Sequence, residues 1–133
     1  MKILIVGIGR NQRLFSAGGA WNGEFIETHI GSFGTYYVGV DTICPVITPI
    51  SLKKSDVLKS DLLSFEITDN LSGIEDYVAY IDNKWVLFEY DEKYDLITCH
   101  LPAENITSGE HELILWVRDK VGNIGSYESK FIY

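Results

Sequence analysis

The stretch that decides the fold is GEHELILWVRDKVGNI, residues 109–124, near the end of the chain. Leu113, Leu115 and Val117 recur at every second position, which is the period of a half-buried β-strand and not of a helix. The DKVGN sequence that follows is rich in the residue types that favour tight turns. This stretch is therefore predicted to be a strand and a turn that leads into the last segment of the chain.

The rest of residues 42–133 has the same character. Short segments rich in β-branched and aromatic residues alternate with turns that contain Asp, Asn and Gly, and no segment keeps a 3.6-residue period. The predicted strands are 46–52, 63–68, 74–81, 84–90, 95–100, 111–118 and 125–133. Seven strands at this spacing predict an all-β protein with an immunoglobulin-like, seven-stranded β-sandwich.

The composition changes near Asp41 in a chain of 133 residues. Eight of the twelve glycines lie in the first 40 residues, which carry three basic and two acidic residues, whereas the remainder carries eight basic and seventeen acidic ones. We therefore predict two domains. Residues 1–41 form a Gly-rich, β-hairpin-rich extension, and residues 42–133 form the sandwich on which it packs.

The net charge of −8 argues against a nucleic-acid partner, because proteins that bind a phosphate backbone usually present a basic surface. No apolar run approaches the roughly 18 residues that a membrane helix needs, so we expect no membrane span. Residues 1–9, MKILIVGIG, are too short and too interrupted by glycine for a signal peptide. If the protein is exported, its signal is expected to lie outside this chain.

Two catalytic motifs begin in this sequence and are not completed. Gly7 and Gly9 follow a predicted strand, but the third glycine of a dinucleotide-binding motif is replaced by Gln12. His111 and the next residue start a zinc-protease motif, but Leu115 stands where the second histidine is required. We predict no catalytic residue, no cofactor-binding residue and no enzymatic activity.

Polar side chains are predicted to gather at one pole of the sandwich. With alternating strand directions, Asp41, Asp69, Asp119 and Asn123 fall at the pole where the first 41 residues join. Carboxylate and amide oxygens are ligands for calcium, but such residues also cap their own turns. Because the chain contains no Asp-x-Asp-x-Asp loop, we expect backbone donors at this pole and keep calcium as the alternative.

Three tryptophans and an isoleucine are candidate binding or inter-domain residues. Trp21, Trp85 and Trp116 present aromatic faces that suit a sugar ring, but packing in the core or between the two domains is the commoner role. Ile114 and Trp116 alternate with core-facing neighbours and so are predicted to face outward. An outward apolar pair needs a cover, and we expect the first 41 residues to supply it.

Several motifs in order resemble one family. They are GGAWNG at 18–23, FGTYYVGVDTICPVI at 33–47, ITDNLSGI at 67–74, IDNKWVLFEYD at 81–91, and the stretch at 109–124. Together they resemble the non-catalytic, C-terminal region of lysostaphin-like zinc endopeptidases from Bacteroides-type bacteria, in which a Gly-Gly-x-Trp hairpin leads into an immunoglobulin-like domain. Cys44 departs from the pattern, which often has a proline there, and the zinc motifs H-x-x-x-D and H-x-H are absent from the sequence.

The resemblance implies an accessory module that positions or binds and does not catalyse, located in the cell envelope, the periplasm or outside the cell. Its implied partners are a protein domain, such as the peptidase-like part of a larger protein, or cell-wall glycan and peptidoglycan. Two alternatives stay open. One is a free-standing carbohydrate-binding or adhesion module, and the other is a hydrolase with an unrecognised site.

Overall fold

A computed structural model describes residues 1–52, 56–103 and 106–133 of the chain. These ranges contain antiparallel β-strands and one short 3-10 helix, Arg10–Gln12, which confirms the prediction of an all-β protein. No helix in the described ranges has the length and apolar composition needed to cross a membrane.

The strands fall into two groups along the chain. The first group is β1 (Ile3–Ile8), β2 (Leu14–Ser16), β3 (Ala20–Trp21), β4 (Ile26–Glu27) and β5 (Thr35–Val40). The second group is β6 (Val46–Pro49), β7 (Leu62–Thr68), β8 (Ile74–Ile81), β9 (Lys84–Val86), β10 (Glu89–Asp91), β11 (Leu96–His100), β12 (Glu110–Asp119) and β13 (Ile124–Ile132).

The first group forms a three-stranded sheet in the order β2-β1-β5 and a separate hairpin of β3 and β4. Leu4 and Val6 of the central strand β1 are buried. The segment before the hairpin is held to β1, because Ile5 donates a backbone hydrogen bond to Gly18 at 2.7 Å and accepts one from Ala17 at 2.8 Å. The predicted hairpin-rich extension is thus built around one buried strand.

The second group forms two four-stranded sheets, ordered β10-β11-β7-β6 and β13-β12-β8-β9, which share one apolar core. Leu113, Leu115 and Val117 are fully buried, as their alternation predicts. The Phe65 ring of one sheet lies 5.2 Å from the Tyr127 ring of the other, centroid to centroid. The two sheets therefore pack face to face, with β6 at an edge as Pro49 predicts.

The structure differs from the prediction at residues 84–90. This segment is not one strand, because β9 pairs with β8 in one sheet whereas β10 pairs with β11 in the other. The described part of the second group therefore has eight strands and not seven. Val86 and Phe88 are both buried, so the alternation continues through the crossover and conceals it. The Tyr77 hydroxyl fixes the crossing segment by donating to the Phe88 carbonyl oxygen at 2.8 Å.

The connection between the two groups of strands passes close to β13. Gly125 is buried, and a Cβ atom at this position would lie 2.2 Å from the carbonyl oxygen of Pro45. The neighbouring atom belongs to the backbone, so it cannot move aside as a flexible side-chain end can. Gly125 is therefore required by the close approach of two chain segments.

We predict that Gly125→Ala lowers the free energy of unfolding by roughly 1–3 kcal/mol, because the added methyl group forces the connection away from β13. Gly31→Ala is the matched control, since a Cβ atom at Gly31 meets no other atom within 4 Å. Chemical denaturation of both variants measures the difference. Equal stability of the two variants would show that the segment around Pro45 can move away from β13 without lowering the free energy of unfolding.

Candidate functional site

The four polar residues predicted at one pole do converge in the structure. Oxygen atoms of Asp41, Asp69 and Asp119 all lie within 4.8 Å of one another. Asp41, Asp119 and Asn123 are each only 1% exposed. The cluster, hereafter the acidic pole, thus consists of Asp41, Asp69, Asp119 and Asn123, and its predicted convergence is confirmed.

Hydrogen-bond donors surround these carboxylates. Asp69 Oδ2 accepts from the backbone N–H groups of Leu71, at 3.1 Å, and Gly73, at 2.8 Å. Asp119 Oδ1 accepts from the N–H groups of Val121, at 3.0 Å, and Asn123, at 2.8 Å. Each carboxylate therefore caps its own turn, which is the arrangement that the sequence favours over a cation.

Asp41 also makes a bond to a distant part of the chain. Its Oδ1 caps its own turn by accepting from the Ile43 N–H group at 3.2 Å, while its Oδ2 accepts from the Ser72 N–H group at 3.0 Å. The second bond joins the connection between the two groups of strands to the turn between β7 and β8. Asp41 is thus a structural link as well as a cap.

Asn123 connects three segments at the acidic pole. Its side-chain amide nitrogen donates to Asp119 Oδ2 at 2.7 Å and to the Asp41 carbonyl oxygen at 3.0 Å. Its amide oxygen accepts a hydrogen bond from the Lys2 ammonium group. Lys2 and Ser72 were not predicted at the pole, because neither belongs to a motif and both reach it only through the fold.

One oxygen of the acidic pole has no donor. Among the residues that the structure describes, Asp69 Oδ1 is buried and lacks a hydrogen-bond partner, whereas the other five carboxylate oxygens each accept at least one bond. Three carboxylates with a free oxygen offer the hard ligands that calcium prefers. The oxygen ligands therefore suit calcium, although hydrogen-bond donors already satisfy most of the carboxylate oxygens.

The predicted binding or inter-domain residues lie at the surface. Trp21 is 49% exposed, Trp85 is 62% exposed and Trp116 is 39% exposed, while Ile114 is half-buried. The expected cover of Trp116 by the first 41 residues is therefore wrong. Hydrogen bonds of Lys2 and Asp41 join those residues to the second group of strands at the acidic pole.

Trp85 and Trp116 belong to one strip on the outer face of the β13-β12-β8-β9 sheet. Tyr80 of β8 is directly opposite Trp85 of β9 in the strand register. The Tyr80 ring also meets the Trp116 ring edge to face, with centroids 5.9 Å apart. We call Trp85, Tyr80 and Trp116 the aromatic strip. Tyr80 could have been found from the sequence, since residues 76, 78 and 80 share the outward phase of their strand.

Each end of the aromatic strip borders a cavity. The cavity beside Trp116 has a volume of about 390 Å³ and includes Val78 and Ile124 in its lining. It is flanked by an ion pair in which Arg118 Nε donates to Asp76 Oδ1 at 3.0 Å. The cavity beside Trp85 has a volume of about 310 Å³ and a more polar lining.

His111, the histidine of the incomplete protease motif, lies on strand β12 and is engaged in structural bonds. Its Nδ1 is 2.6 Å from Asp82 Oδ2, and its Nε2 is 2.6 Å from the Thr107 carbonyl oxygen. Both partners are acceptors, so the ring satisfies them only as an imidazolium that donates from both nitrogens. The hydrogen bond that His111 donates to the Asp82 carboxylate is the main cause that raises the pKa of His111, and the same bond lowers the pKa of Asp82.

A comparison of the chain with protein-family models finds no match, and a search of curated proteins finds none either.

We predict that calcium leaves the melting temperature of the protein nearly unchanged, because donors already satisfy most oxygens of the acidic pole. A ligand that binds only the native state at 100 times its dissociation constant would add about 2.7 kcal/mol. Thermal melts with millimolar calcium, with magnesium as the control, measure this. A rise of several degrees with calcium alone would instead assign Asp69 Oδ1 to a calcium site.

We predict that His111 stabilises the protein most at mildly acidic pH. Folding raises the pKa of His111. The contribution of His111 to the free energy of unfolding is therefore complete at pH values below its unfolded pKa of about 6.5, and it is lost as the pH rises through the folded pKa. On the acid side, the contribution of Asp82 is lost as the pH falls through its lowered pKa.

The measurement is the difference in unfolding free energy between the wild type and His111→Gln across pH. We expect about 1 kcal/mol in favour of the wild type near pH 6, because the Asp82 side chain is 43% exposed and water screens the pair. The difference should shrink toward alkaline pH. A difference independent of pH would mean that the histidine acts only by packing against Phe131.

Proposed function

We propose that residues 42–133 form an immunoglobulin-like sandwich with one additional strand. The order β10-β11-β7-β6 corresponds to strands D-E-B-A of that fold, and β13-β12-β8 corresponds to G-F-C. Strand β9 then takes the position next to C at the edge of its sheet. The strand order supports this assignment more strongly than the number of strands, because the order constrains how the chain is connected.

We further propose that the protein is a non-catalytic interaction module that binds through the outer face of the β13-β12-β8-β9 sheet. The observation that carries this proposal is the aromatic strip. Its two tryptophans stand on β9 and β12, which pair with opposite sides of β8, and they remain 62% and 39% exposed. Large aromatic side chains on a rigid surface are typical of binding sites, since they supply contact area at a low entropic cost.

The cellular setting is proposed from the resemblance to the C-terminal region of lysostaphin-like endopeptidases. On that basis the module works in the cell envelope, and its partner is either a protein domain or peptidoglycan. The acidic surface fits both of these partners better than it fits a nucleic acid. The chain then positions a partner on the envelope and performs no chemistry itself.

The bonding of the histidines favours binding over hydrolysis. Both nitrogens of His111 are occupied by structural partners, and His29 and His100 are exposed. In the described residues, the group of side chains close enough to share an ion consists of three aspartates. A zinc site in an enzyme commonly uses histidine ligands, so this set suits catalytic zinc poorly.

We predict that the purified chain sediments with peptidoglycan sacculi and releases no soluble fragments from them, with or without added zinc. Trp116→Ala should reduce the sedimented fraction, because it removes one ring of the aromatic strip. Trp21→Ala is the matched control, since Trp21 is similarly exposed but lies on β3. Elemental analysis should find much less than one zinc per chain.

Release of muropeptides that depends on zinc would replace this proposal with the hydrolase alternative. Failure of the chain to bind either sacculi or a co-expressed peptidase-like domain would leave the aromatic strip without a partner and would overturn the proposal.

A further inference from the structure

We propose that the cavity beside Trp85 binds a neutral oligosaccharide whose hydroxyl groups are equatorial. This inference rests on the proposed binding function and names the class of its ligand. The cavity is formed where the chain leaves β9 and enters β10, so that it opens at the side of the two sheets. Its lining consists of Trp85, Leu87, Glu89, Thr98, His100 and Ala103 together with the buried residues Val86 and Cys99.

Three polar residues of two paired strands belong to the lining of this cavity. Glu89 of β10 lies directly opposite Thr98 of β11 in the register. His100 is two residues beyond Thr98 and therefore faces the same side of its strand. Their neighbours Ile97 and Cys99 face the core, since these are 0% and 2% exposed. The three polar groups are thus fixed on one face by the ladder.

These polar side chains are not tied into the fold by hydrogen bonds, although the charge of Glu89 acts on the nearby Tyr77 hydroxyl and helps to raise its pKa. Within the described ranges, the side chains of Glu89, Thr98 and His100 make no hydrogen bond to the rest of the chain. A carboxylate, a hydroxyl and an imidazole together offer both donors and acceptors. Such a set matches a ligand that carries several hydroxyl groups, each of which can donate and accept.

Trp85 supplies the apolar half of the site. A pyranose ring with equatorial hydroxyls presents a face of C–H groups, and that face stacks on the electron-rich face of an indole. Trp85 is 62% exposed, and pairing with Tyr80 holds its strand in place. The exposed Leu87 extends the apolar wall. A lining of apolar side chains with a few polar groups is the usual composition of a small-ligand site.

Size and charge restrict the ligand further. The volume of about 310 Å³ lies at the lower end of ligand pockets, which are about 300–1,000 Å³, so the cavity suits a short part of a longer chain. An adjoining depression shares Glu89 and Thr98 and adds Asp91 and Glu92 to its lining. The depression also includes Lys93, but its three carboxylates outnumber that cation and repel uronic acids and sulfated sugars, which favours a saccharide without negative charge.

The test is isothermal titration of the full chain with chitotetraose and cellotetraose, with polygalacturonate as the anionic comparison. We expect saturable binding of at least one neutral tetrasaccharide and none of the polyanion. Trp85→Ala should weaken binding at least about tenfold, and Trp85→Phe, which keeps an aromatic face, should weaken it less. Glu89→Gln tests the polar side of the cavity and should also weaken binding.

Trp21→Ala serves as the control for loss of an exposed tryptophan and should bind as the wild type does. Since Trp85 and Glu89 are exposed, melting temperatures close to that of the wild type will show that the variants are folded. Equal affinity of wild type and Trp85→Ala would overturn the inference, as would tighter binding of the polyanion.

A separate competition experiment distinguishes this inference from the proposed function. If sacculi bind the chain but neither tetrasaccharide binds or competes, the saccharide site is wrong and the interaction module stands. If neither sacculi nor a peptidase-like domain binds and both tetrasaccharides also fail, both proposals are wrong.

Discussion

The side-chain amide of Asn123 determines how the acidic pole is assembled. It donates to Asp119 within its own turn and to the Asp41 carbonyl oxygen in the connection, and it accepts a hydrogen bond from Lys2 at the start of β1. A buried polar group without a partner costs roughly 1–3 kcal/mol, so the loss of one segment from the pole destabilises the bonds of the others. The pole therefore requires the turn after β12, the connection and β1 to be in place at once.

Attachment at the pole leaves the outer face of the β13-β12-β8-β9 sheet uncovered. The apolar core lies between the two sheets and does not include the aromatic strip, so the rings of Trp85 and Trp116 are not needed to fill it. A surface that the fold does not use is available to a partner. The same arrangement thus has two consequences, which are a polar link at one end of the sandwich and a free aromatic surface on its face.

The sequence predicted the features that depend on local periodicity or on strand direction. Alternation identified Leu113 as a core residue, and the direction of successive strands brought Asp41, Asp69 and Asp119 together. It did not predict the role of Lys2, because an isolated lysine near the N-terminus carries no signal of its distant partner. It also placed a cover over Trp116, because an outward apolar residue is equally consistent with packing and with exposure.

The crossover at residues 86–89 shows why the cavity beside Trp85 was beyond sequence reasoning. Val86 and Phe88, on either side of the crossover, are both buried. The alternation of buried and exposed residues is therefore the same as it would be in one continuous strand. The change of sheet is visible only in the hydrogen-bonded partners, β8 before it and β11 after it. The same change of sheet brings Trp85, Glu89 and Thr98 into the lining of one cavity. Since a shift of one residue would turn these side chains to the opposite face, the register of two short strands controls whether the cavity exists.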